Sequence, residues 1–210
     1  MKTSRWNRYD EKSGLWISSK KRIFVYWFKF LQHAGNDPDP SREVDWSAYE
    51  GWGDPKVICN TKTKFDAWWK KNWKTLFGYK DGEKPLYSLT TIKPQPDGVR
   101  YSLMVYELKD KPLFNGQENT DRGIVGDNWE IAKRIAVFEY PRRKNKGRKD
   151  PSYKPEEWVF NIARKSIARD LRKTDPKEFS KQKRTLQSRV SRYMRSAELH
   201  LDNVCEGKFP

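Results

Sequence analysis

The stretch DPKEFSKQKRTLQSRVSRYMRSAELHLDNVCEG, residues 175–207, decides how the rest of the chain reads. It opens on a helix start: Asp175 in the N-cap place, Pro176 at the first helical position, where its missing N–H has no partner to lose, and Glu178 at the third. From there Phe179, Leu186, Val190, Tyr193, Ala197, Leu201 and Val204 recur at steps of three, four and seven, which is one apolar stripe along a helix, and Gly207 ends it. The stripe rises about 39 Å from end to end. Away from it lie Lys181, Arg184, Arg189, Arg192 and Arg195, and only Glu178 is acidic between Lys177 and Arg195. Pairing within the helix therefore cannot neutralise this surface.

Immediately before this helix, Pro155 stands in the first turn of a second one predicted to run to about Lys173. Phe160, Ala163, Ile167 and Leu171 share one face, with Arg164, Lys165, Arg169, Arg172 and Lys173 turned away. Two helices joined by so few residues predict a basic helical hairpin over 154–210. Arg142, Arg143, Lys144, Lys146, Arg148 and Lys149 fall in a tract without apolar residues, read as a solvated linker over 141–153. Residues 141–210 together hold 20 Lys and Arg against 9 Asp and Glu, which is +11 of the chain's +16.

The front of the chain has the opposite character. Eight of the ten tryptophans precede residue 80: Trp6, Trp16, Trp27, Trp46, Trp52, Trp68, Trp69 and Trp73. A helix is expected from Lys20, capped by Ser19, to about Ala34, with Ile23, Phe24, Trp27, Phe28, Phe30 and Leu31 covering most of its circumference, and Gly35 stopping it. Phe65, Trp68, Trp69, Trp73, Leu76 and Phe77 recur at helical spacing, Lys70, Lys71 and Lys74 face the other way, Thr63 is placed to cap, and Gly78 closes the helix. Two short strands around a Gly-containing turn are expected over 5–18, and Val44–Pro55 reads as a loop. Leu86–Ile92 and Val99–Leu108, joined by Pro94-Gln95-Pro96-Asp97-Gly98, predict a second hairpin. Residues 111–128 read as a Gly- and Asn-rich loop. Asp127 then caps a helix through Trp129, Ala132, Ile135 and Ala136 that ends before Pro141, with a strand over 134–140 as the other reading. The fold class expected is α+β, predominantly α-helical: a Trp-rich globular front over 1–140 with one or two β-hairpins, followed by the linker and the basic hairpin.

Composition excludes several classes. Cys59 and Cys205 stand far apart outside any CxxC pattern, and His33 and His200 are isolated, so no zinc site is expected. The longest apolar run, Ile23 to Phe28, is too short for a bilayer. No signal peptide is evident, and a Lys-rich chain with two lone cysteines reads as a reduced intracellular protein, not a secreted one. Walker-type, Gly-x-Ser-x-Gly, HExxH and kinase-like motifs are absent. No cofactor is expected.

The function expected is non-catalytic binding of DNA or RNA, with phosphates meeting the arginines and lysines named above. The small size and heavy Trp, Lys and Arg usage suit an accessory protein of a phage or mobile element, acting in the cytoplasm of a bacterial host. Two alternatives use other features. A structural or assembly protein, capsid-associated or scaffold-like, would self-associate through the 179–204 stripe and meet an acidic protein surface with its cations. A nuclease would use Pro96-Asp97 and Glu107-Leu108-Lys109, which resemble the PD-(D/E)xK signature of metal-dependent nucleases; that resemblance implies Asp97 and Glu107 on Mg²⁺ and Lys109 activating water. The tryptophans are expected mainly in the core, with Trp46, Tyr49 and Trp52 the set placed to stack on unpaired bases.

Overall fold

The computed structural model describes residues 7–18, 20–90, 95–109, 127–149, 151, 154–171 and 174–209. Trp6, Ser19, Ile92, Pro94, Arg172, Lys173 and residues 111–126 of the expected 111–128 loop lie outside the described residues, and for Arg148 and Lys149 the backbone alone is described. The architecture is α+β and mostly helical, with a small antiparallel sheet and a Trp-rich core, as the sequence predicts. Two compact units divide it: Met1–Arg100 with Ala197–Pro210, and Tyr101–Ser196. The sequence reading instead divides the chain at 141–153.

In the first unit, β1 (Arg8–Asp10) and β2 (Leu15–Ile17) form the expected hairpin, pairing Tyr9 with Trp16, and β3 (Gly78–Tyr79) adds to the far side of β2. The central element is α1 (Lys21–Ala34). Ile23, Phe24, Trp27, Phe28, Phe30 and Leu31 are all essentially inaccessible, which is why this helix is apolar around most of its circumference. Around it pack α2 (Pro55–Cys59) and α3 (Phe65–Leu76). Phe24 meets Phe77 at 4.4 Å and Trp69 at 5.2 Å between ring centroids, Phe28 meets Trp68 at 4.9 Å, and Trp27 stacks on Phe209 at 5.6 Å. Rings of this size bury large areas per residue, so a highly charged chain still closes a core.

The expected Thr63 cap does not form. Lys64 occupies the N-cap of α3 without a side-chain bond, and Thr63 Oγ1 instead donates to the Val57 carbonyl at 2.6 Å, tying the α2–α3 connection. The 44–55 loop is more ordered than a loop reading implies: Trp46–Tyr49 is a 3₁₀ turn capped by Asp45, and Asp54 caps α2. Tyr49 and Trp52 are buried, so neither offers a face to an unpaired base.

The second hairpin expected over 86–108 is replaced by α4 (Pro96–Leu108). Tyr101, Val105 and Leu108 are buried at i, i+4 and i+7, and Pro96 sits in the first turn, where proline is tolerated. α5 (Asn128–Lys149) starts where predicted, with Trp129 N–H donating to Asp127 Oδ1 at 2.9 Å. It then runs through Pro141, so 142–149 is helix and not a solvated linker, and 134–140 is not a strand. Proline removes the bond to the Val137 carbonyl, on a turn where Val137 and Phe138 are exposed and water can take its place. Arg and Lys are good helix formers and suit a helix C-terminus, which favours continuation.

The helix predicted from Pro155 to Lys173 is shorter. A 3₁₀ turn, Pro155–Glu157, precedes α6 (Asn161–Ile167), and Arg169 turns left-handed at φ 52 soon after, which ends it. α7 (Pro176–Cys205) follows the prediction closely, with Glu178 N–H donating to Asp175 Oδ2 at 3.0 Å. At its far end Gly207 takes φ 74, and a Cβ there would lie 2.6 Å from the Ala48 Cβ, so only glycine fits. Leu186, Val190, Ala197, Leu201 and Val204 are each at most 2% exposed. Most of the stripe is thus used within the chain, with Phe179 and Tyr193 half-buried.

Candidate functional site

At 100° per residue, Lys177, Lys181, Arg184, Arg192 and Arg195 fall within a sector of about 80° on α7, opposite the apolar stripe. All five are exposed. Ser188 is the one other residue of this sector between Lys177 and Arg195, so the row carries no carboxylate. None of the five makes an ion pair among the described residues. The row extends about 27 Å along the helix. Lys177 carries no separate signal in the sequence, because it sits inside the helix start; its helical angle is what places it in the row.

The remaining predicted cations among the described residues belong to other elements or, for Arg189, to another side of α7. Arg142 pairs with buried Glu139 at 3.7 Å, and Arg143 Nη2 donates to Tyr101 Oη at 2.8 Å. Lys144 and Lys146 are exposed on the last turns of α5, which also carry Arg148 and Lys149. Arg164 lies over the Tyr140 ring at 4.5 Å and donates from Nε to Asn161 Oδ1 at 3.2 Å. Arg169 is exposed at the left-handed turn after α6. Burial of Arg143 and Arg164 against aromatic partners makes them part of the unit's framework.

Arg189 and Lys165 are half-buried and line a cleft of about 410 Å³ beside α6 and the first half of α7. Lys181 lies on its rim and belongs to the exposed row as well. Trp158, Ile162 and Leu186 supply apolar wall, and Glu156, Glu178 and Gln182 polar wall. Glu178 accepts from Gln182 Nε2 at 2.8 Å. This cleft has no local sequence signal, since its residues come from separate elements between 156 and 189.

The nuclease constellation does not assemble. With α4 in place of a strand, Asp97 and Glu107 are ten residues apart on one helix, about 15 Å of rise, too far to share one Mg²⁺. Asp97 pairs with Arg22 at 2.6 Å, and the Lys109 ammonium sits 4.3 Å from the Tyr106 ring centroid. The alternation that would aim Glu107 and Lys109 together belongs to strands. Among the described residues no group of three or more His, Cys, Asp or Glu could hold a metal ion.

Elsewhere, Arg42 pairs with Asp37 at 3.3 Å, with Asp202 at 3.2 Å and with Glu198. Desolvation works against its charge, yet these three carboxylates outweigh it and raise the guanidinium pKa. Cys59 and Cys205 are free thiols, each with its pKa raised chiefly by burial. No described helix is long and apolar enough to cross a membrane. No protein-family model, curated protein or solved structure matches this chain.

Proposed function

We propose that this protein binds nucleic acid through phosphate contacts along the exposed cationic row of α7, without performing chemistry on it. The observation that carries the reading is the row itself: Lys177, Lys181, Arg184, Arg192 and Arg195, all exposed and without a carboxylate among them. A solvated helix face in a folded protein usually mixes signs, which neutralises neighbours at i and i+4. A one-signed row repels itself and is relieved by a polyanion. Three of the five are arginines, whose forks match phosphate oxygens in pairs.

Phosphate binding of this kind has a defined salt signature. Five contacts give a slope near −4.5 in log K against log salt, so affinity should fall by roughly 500-fold between 50 and 200 mM. The experiment is binding of labelled single- and double-stranded DNA and RNA across that range, with Arg184→Ala/Arg192→Ala/Arg195→Ala alongside. The triple variant should be shallower by about three in slope. Absence of binding at low salt overturns the reading and leaves an acidic protein surface as the partner for the row.

A further inference from the structure

We infer that the cleft beside α6 and α7 is a binding site for a single nucleotide. Its volume, about 410 Å³, lies in the range of small-ligand pockets and is far too small for a duplex. Lys165, Lys181 and Arg189 line it, and none of the three is ion-paired among the described residues. Lys165 and Arg189 are half-buried and Lys181 is exposed at the rim, and half-buried cations without ion-pair partners favour an anion. Glu156 and Glu178 also line the cleft, so its charge is three cations against two carboxylates. That balance disfavours a bare polyphosphate. It suits a ligand with an anion at one end and hydrogen-bond donors, such as sugar hydroxyls and a base amino group, at the other.

The wall supplies the remaining specificity. Trp158, Ile162 and Leu186 give an apolar surface for a flat ring. Trp158 is 7% exposed, and its indole Nε1 is buried with no hydrogen-bond partner. The residue lines the cleft, so its indole signal reports on a ring stacked against that wall. Lys181 and Arg189 stand about 12 Å apart along α7, which suits an extended nucleotide and exceeds an isolated phosphate. The inference deepens the phosphate-binding reading above. The same chemistry arises from a free nucleotide or from an unpaired nucleotide of a bound strand.

The test follows the Trp158 indole N–H signal by ¹⁵N–¹H NMR, identified with Trp158→Phe, during titration with inorganic phosphate, adenosine monophosphate and octathymidylate. The signal should move with adenosine monophosphate, with the oligonucleotide, or with both, at concentrations at least tenfold below those needed with inorganic phosphate. The arm that moves it identifies the source. Lys165→Ala/Arg189→Ala should weaken the effect tenfold or more. Gln182→Trp, which fills the cleft from an exposed helix position, should abolish it, and serves if the double variant fails to fold. The triple variant of the exposed row should retain the mononucleotide response while losing strand affinity, so the two readings fail separately. No movement with either nucleotide probe, an equal response to inorganic phosphate, or a response that survives Gln182→Trp overturns the inference.

Discussion

Arg143 Nη2 donates to the phenol oxygen of Tyr101 at 2.8 Å, joining α5 to α4 through a half-buried charge. In sequence Arg143 belongs to a basic tract and counts toward a polyanion surface. In the fold it is a brace. Arg143→Ala should therefore lower stability by about 1.5 kcal/mol, the scale of a hydrogen bond involving a charged group, as read by urea unfolding. The slope of nucleic-acid binding with salt should stay unchanged. Arg192→Ala should do the reverse: a stability change within about 0.5 kcal/mol and a slope shallower by about one. A shallower slope for Arg143→Ala at full stability would place this residue in the interface after all.

A second brace lies in the aromatic core of the first unit. Trp27 Nε1 donates to Tyr49 Oη at 3.2 Å, and Tyr49 Oη donates to the Val204 carbonyl at 2.6 Å. Burial raises the Tyr49 pKa above the ordinary phenol value, so the hydroxyl keeps its proton and remains a donor. Tyr49→Phe keeps the ring and removes the bridge, leaving a buried indole N–H and a buried carbonyl unmatched. The expected loss is about 1–3 kcal/mol in urea unfolding. A change below 0.5 kcal/mol, on the scale of an uninvolved surface site, would mean that the bridge contributes little.

These two braces mark where the sequence stops being readable. The start of α7 is legible because Asp175, Pro176 and Glu178 agree with one another and with the apolar period that follows. α4 is not, because Val99, Tyr101, Leu103 and Val105 alternate as a strand would, while Tyr101, Val105 and Leu108 repeat as a helix does. Over so short a run both periods fit, and packing decides. Pro141 misleads in the other direction, since a local steric preference yields to the helix-forming residues on either side. The exposed row on α7 is largely legible, being a property of one helix. The roles of Arg143 and Arg164 are not, since the aromatic partners Tyr101 and Tyr140 lie elsewhere in the chain.

His200 gives the protein a pH dependence of known sign. Its ring packs edge-on against Phe30 at 5.2 Å and lies 5.5 Å from Phe209, with Nδ1 buried and without a hydrogen-bond partner. Desolvation lowers its pKa from 6.5 to about 4. The folded state thus resists protonation while the unfolded chain accepts it, so stability from the neutral imidazole is complete above pH 6.5 and is lost as pH falls toward 4. The ceiling is on the order of 3 kcal/mol. The measurement is a difference, which cancels every other titrating group: unfolding free energy of the wild type against His200→Leu from pH 7.5 to 3.5. The wild type should lose stability relative to the variant between pH 6.5 and 4, and the two curves should run parallel outside it. Parallel curves throughout would mean that His200 is hydrated and takes up its proton without penalty in the folded protein.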